Sequence, residues 1–288
     1  MPMTLIQGKF RVVQTAPDGD SIRFYAKNLE HWKKISQSIR TNKAGGVQLR
    51  LDAIDALETH FSPRIGSVGT QRQPLEYAHA AVDELLKFLG FQKFTRGKNE
   101  KITSSSPEEV PGFILTRSAD VYGRSVALVF AGETEAEDGS DVFLDESLLN
   151  KSANCHLLSQ GLAYPTFYSK LFPDSRSVMT AIVKQARQEN KGLWSQDKTN
   201  TGFVLESLET ITDRVVILPK LFRRLLSYLA INDGGVELDG FVSYLASLND
   251  RIIILPDGHV TGFDYVVKVD GQQLKLSQQP EDIIFIEK

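Results

Sequence analysis

Three short stretches of this 288-residue chain carry acids and arginines at spacings that suit work on a phosphate. PDGD, residues 17–20, sets Asp18 and Asp20 around a glycine. LRLDAIDALE, residues 49–58, holds Arg50, Asp52, Asp55 and Glu58. DVYGR, residues 120–124, holds Asp120 and Arg124. Each has an ordinary reading when taken alone. Asp and Gly dominate β-turns for backbone reasons, acids at a strand end are commonly solvated, and an Arg after Tyr-Gly is commonly a surface residue. Together they supply carboxylates suited to a hard cation and two guanidiniums whose planar fork matches phosphate oxygens. A further carboxylate can orient or deprotonate water. Metal, charge clamp and water activation are the parts of phosphodiester hydrolysis.

Those residues need a scaffold, and the pattern predicts one. Residues 8–25 alternate apolar and polar around PDGD, as two strands and a turn do. Residues 27–46 are polar, with Leu29, Trp32, Ile35 and Ile39 spaced like a short amphipathic helix. VQLRLDAID, residues 47–55, reads as a strand on which Arg50 points away from Leu49 and Leu51. A loop is expected over residues 61–74, a helix over 75–90 ending at Gly90, and a short strand at FQKFTR. Residues 97–111 read as a polar loop, and strands follow at 113–118 and 124–130. The acidic stretch 133–141 reads as a hairpin tip. Helices are expected at 145–160 and 175–190. After the polar break 194–202 come helices near 217–230 and 239–249, then strands near 251–255, 263–269, 273–276 and 283–287. The expected division is residues 1–198 and a small α+β domain at 203–288.

The order and spacing of the three motifs resemble the staphylococcal nuclease (thermonuclease) family. The likeness extends from about Phe10 to Trp194, through SQGLAYPTFY and the closing NKGLW. The resemblance implies an α+β fold in which a five-stranded OB-type barrel carries helices. It implies a Ca²⁺-dependent nuclease acting on DNA and RNA with low sequence specificity and a preference for single strands. Carried over residue by residue, it makes Asp20 and Asp55 metal ligands, joined by the Ala56 backbone carbonyl, with Asp18 outside the direct ligands. Arg50 and Arg124 hold the scissile phosphate, and Glu58 positions or activates water. Tyr122 and Phe167 become candidates for holding the substrate. The alternative is a catalytically inactive module of the same fold that binds RNA or a protein. One departure stands out: Ala56-Leu57 occupies a place where the family often has a proline. That loosens the turn that aims Glu58, by about 0.5–1 kcal/mol.

Bulk composition sets wider limits. The net charge of −3 argues against a global basic field for coating nucleic acid. Residues 1–200 carry 25 Lys+Arg against 23 Asp+Glu, whereas residues 201–288 carry 8 against 13, so phosphate contact is expected in the first part. Cys155 stands alone, so no internal disulfide forms. No secretory pattern opens MPMTLIQGKF and no apolar run suits a bilayer, so the expected compartment is the cytoplasm, with no membrane partner. The five histidines lack metal-ligand spacing. INDGGVELDG reads as a helix–turn–helix connection rather than a cation loop. Residues 203–288 show no chemical motif, and self-association or a protein partner is the role expected of them.

Overall fold

Every second residue of GVQLRL is apolar, and the strand it forms, Gly46–Leu51, buries Val47, Leu49 and Leu51 while Gln48 and Arg50 stay half-buried. This strand belongs to a computed structural model that describes residues 2–35, 38–66 and 68–287. The chain forms two compact units: residues 1–52 with 80–159, and residues 53–79 with 160–288.

Among the described residues of the first unit, five strands close a barrel. They are β1 (Met3–Arg11), β2 (Ser21–Ala26), β3 (Gly46–Leu51), β4 (Glu109–Ala119) and β5 (Ser125–Ala131). The order β2–β3–β5–β4–β1 is completed by pairing of β1 with β2. Closure leaves the barrel strands without an unpaired edge along most of their length, the general advantage of such sheets. The pairing of β3 with β5 is parallel and the others are antiparallel. Phe10, Ile22, Phe24, Leu49 and Ile114 share the inward face and fill the interior.

Asn154 braces one end of this barrel. It lies in the helix Ala153–Ser159, is fully buried, and donates from Nδ2 to the carbonyl oxygens of Asp52 (2.8 Å) and Ala127 (3.2 Å). Its Oδ1 accepts from the Val129 N–H at 3.0 Å. One side chain thus gives a partner to the Val129 N–H of β5 and to the carbonyl just after β3, and shares the Ala127 carbonyl with the Asp52 N–H.

The second unit holds helices and small sheets. Phe167–Tyr168, Ile283–Phe285, Arg251–Ile254 and His259–Gly262 form one sheet in that order. Phe203–Val204, Gln273–Leu276 and Val267–Asp270 form another. The helix Pro219–Ile231 turns Leu221, Phe222, Leu225, Leu226 and Leu229 inward as complete core residues. The α+β class and the OB-type barrel are as the sequence predicts.

Three local expectations change. The polar stretch 97–111 contains a strand, Ile102–Ser106, paired with Lys93–Arg96, and β4 already begins at Glu109. Its serines and threonines face largely outward, so composition disguised it as a loop. The helix expected over 145–160 divides into Glu146–Asn150 and Ala153–Ser159, with the Ser152 hydroxyl accepting from the Cys155 N–H at 3.2 Å. Residues Phe263–Val266 are helical before the strand Val267–Asp270 begins.

Asn154→Ala should lower the unfolding free energy by about 2–4 kcal/mol, because it takes their side-chain partner from the buried Val129 N–H and from the Asp52 carbonyl. Urea denaturation followed by circular dichroism measures this, and a loss below about 1 kcal/mol would remove Asn154 from the brace.

Candidate active site

In the first unit, strand register brings three of the predicted residues to one end of the barrel. Ser21 of β2 lies opposite Arg50 of β3, and Leu49 and Arg50 lie beside Ser125 and Val126 of β5. Asp20 immediately precedes β2, and its carbonyl accepts from the Leu51 N–H at 2.7 Å. Arg124 immediately precedes β5. Asp18 forms a bridge with Ser21, donating its N–H to the Ser21 hydroxyl at 3.4 Å. Distant motifs therefore converge because neighbouring strands start and stop there.

Arg124 is held by a residue that motif reading left without a role. Asp120 accepts from the Tyr122 N–H (2.9 Å) and the Arg124 N–H (3.0 Å) on one oxygen, and from Arg124 Nε (2.6 Å) on the other. This Asx-type turn fixes the loop and the guanidinium together. Gly123 sits at φ +80°, and a Cβ there would stand 2.9 Å from Arg40 Cβ, so the turn requires glycine. The Tyr122 ring is exposed and lies 5.8 Å from the Arg124 guanidinium carbon. A shallow cavity of about 210 Å³ opens here, lined by Arg23, Arg40, Gln48, Tyr122 and Arg124 among others.

In the second unit, Ile54–Asp55 pairs antiparallel with Tyr164–Pro165. Ala53 adopts φ +67°, and its carbonyl accepts from the Thr166 N–H at 2.9 Å. Asp55 is only 1% exposed and Ala56 is buried with it. Glu58 is held through its backbone by Gln73, itself fully buried. Gln73 accepts the Glu58 N–H on Oε1 (3.3 Å), returns its own N–H to the Glu58 carbonyl (2.9 Å), and donates from Nε2 to the Ile217 carbonyl (2.8 Å). The rigidity expected to be lost with the missing proline is thus supplied by a glutamine clamp.

Asp55 and Glu58 converge on a cation that the sequence reading passed over. Arg223, in the helix Pro219–Ile231, donates from Nη1 and Nη2 to the two oxygens of Asp55 at 3.0 and 2.6 Å. Its Nη1 also donates to Glu58 Oε1. Burial works against the guanidinium charge, but the pull of Asp55 and then Glu58 outweighs it. Arg223 is therefore held well above the ordinary arginine value. LFRRLLSYLA displays the helix and its apolar face, yet nothing in it names acids some 165 residues away. The adjacent Arg224 is turned about 100° around the axis and meets Asp250 instead, at 2.7 Å from Nε.

Phe167, expected to stack on a base, is fully buried and pairs in strand register with Ile284. Its ring belongs to the core, which removes it from the candidates for substrate contact. Cys155 is likewise inert: burial pushes its thiol up to about 11. Among the described residues, no group of three or more His, Cys, Asp or Glu side chains is arranged to hold a metal ion. Among those same residues no helix is long and apolar enough to cross a membrane.

Residues 48–196 match the family model described as staphylococcal nuclease homologue, just over half of the chain. The chain belongs to the staphylococcal nuclease family. No curated protein matches it. The span matched by this nuclease family includes Arg50, Asp55, Ala56, Glu58, Tyr122 and Arg124, whereas Asp18, Asp20 and Arg223 lie outside it. Membership together with the barrel marks the chain as a nuclease-like or nucleic-acid-binding module.

Gln73→Ala should cost about 1–3 kcal/mol, since it leaves the half-buried Glu58 N–H and the buried Ile217 carbonyl without that partner. Amide hydrogen exchange at Glu58 should speed up in the same variant. Unchanged exchange there would mean that the clamp does not hold the loop.

Proposed function

We propose that this chain is a nuclease that hydrolyses phosphodiester bonds of DNA and RNA with low sequence specificity and a preference for single strands. The observation that carries this reading is the register of β2, β3 and β5, which gathers Asp20, Arg50 and Arg124 at one barrel end in a chain of this family. Water attacks phosphorus in line with the leaving oxygen. Arg50 and Arg124 neutralise the charge that grows on the non-bridging oxygens, where a planar donor fork gains most as the transition state forms. Glu58 orients the water or takes its proton. Tyr122, exposed beside Arg124, lies where a neighbouring nucleotide of a flexible strand can be met.

Calcium belongs to this proposal as the ion for which Asp20, Asp55 and the Ala56 carbonyl are suitable oxygen donors. In the arrangement described, the donors do not fit that ion. Both Asp55 oxygens are engaged by Arg223, and a positive charge already stands where a divalent one would bind. No catalytic step is therefore assigned to it. The same ion pair favours the second reading, a module that binds nucleic acid without cutting it.

Release of acid-soluble nucleotides from single-stranded DNA and RNA separates the two. Arg50→Ala, Arg124→Ala and Glu58→Ala should each slow this release by about 10²–10³-fold, the usual loss when one group acting on the transition state is removed. Wild-type release no faster than that of Arg50→Ala, with oligonucleotide binding retained, would favour the binding module.

A further inference from the structure

Asp55 lies almost wholly out of solvent, and a buried carboxylate keeps its charge only with a cation and hydrogen bonds around it. Arg223 provides both, through a two-pronged contact with Asp55 and a further bond to Glu58. Two like-charged cations cannot share these carboxylates without strong repulsion at such short range. We propose that Arg223 is the resident cation of the Asp55–Glu58 pair and competes with Ca²⁺ for it, so that the C-terminal segment restrains metal loading. This rests on the calcium reading given above.

Several independent contacts keep the arginine at that address. The loop that follows Asp55 is strapped to the segment around Arg223 at separate points. Gln73 bonds the Ile217 carbonyl, Arg72 Nη2 meets Asp213 at 2.8 Å, and the Phe61 and Phe222 rings lie 6.4 Å apart edge to face. Gly66 approaches so closely that a Cβ would stand 2.0 Å from the Ala230 carbonyl oxygen. The neighbouring cations do not share the role, because Arg224 and Lys220 lie at Asp250, at 2.5 and 3.8 Å. With the apolar face of the helix fully buried, exchange of cations is an event of the Arg223 side chain. Its flexible stem can withdraw the guanidinium while the helix remains in place. A site open for only a fraction of the time shows its affinity reduced by that fraction.

Calorimetric titration of Ca²⁺ into the full chain tests the competition, comparing wild type, Arg223→Gln, and Arg223→Gln combined with Asp55→Asn. Arg223→Gln should bind Ca²⁺ about tenfold or more tightly than wild type, and the added Asp55→Asn should erase the gain. Ca²⁺ should also raise the Tm of Arg223→Gln more than that of wild type, since the ion then supplies the missing cation. Equal affinities in wild type and Arg223→Gln, with binding lost in the double variant, would overturn the competition and leave the calcium reading standing. No Ca²⁺ binding by any variant would overturn both, while nucleotide release in chelator would still report on hydrolysis. Should Arg223→Gln fail to fold, Arg223→Lys decides. It keeps the charge but loses the fork, and should bind about threefold more tightly than wild type; an unchanged affinity would count against the proposal.

Discussion

A carboxylate that is almost entirely removed from water must be neutralised or paired, and Asp55 is paired. Its partner, Arg223, reaches it from a helix 168 residues further along the chain and takes Glu58 at the same time. Such an ion pair gains strength from the low local dielectric but must offset the removal of both charges from water. Losing the arginine would leave two acids facing one another in a buried setting, a loss generally of about 3–5 kcal/mol. The cation at Asp55 therefore governs the local fold around Asp55 and Glu58.

Much of the second unit can be understood as support for that pairing. The apolar stripe of Pro219–Ile231 anchors the helix, and helical geometry then sends Arg223 and Arg224 to different acids. Gln73 ties the Glu58 backbone to Ile217, two residues before the helix begins. The first unit solves a different problem, the placement of arginines, by strand register and by the Asp120 turn. Rigid placement of a guanidinium is worth more to a phosphate site than its presence alone, because disordered arginine must be ordered at each encounter.

What was legible in the sequence follows from the range of the forces involved. Alternation in GVQLRL and the helical stripes around residues 75–90 and 217–230 are local signals, and each yields its element. The motif order also revealed the family, from residues near Arg50, Asp55 and Arg124. Arg223 was hidden because an arginine on an amphipathic helix gives no sign of its partner, and its acids are far away in sequence. Gln73 looked like one more polar residue in a loop. Ser- and Thr-rich residues 102–106 lacked the apolar alternation that marks a half-buried strand. Phe167 lay in a stretch that resembles the family, but packing claimed its ring.

The nitrogen-bound protons of Arg223 report directly on its hold on Asp55. A buried, forked arginine–carboxylate pair slows guanidinium rotation and proton exchange relative to a solvated arginine. Arginine side-chain nitrogen-15 spectra of the full chain, with Arg223 assigned by its loss in Arg223→Lys, should show slowly exchanging Nη protons without calcium. These signals should give way to those of a mobile arginine as Ca²⁺ is added. Protected Arg223 signals that persist unchanged when bound Ca²⁺ has reached saturation would contradict the account.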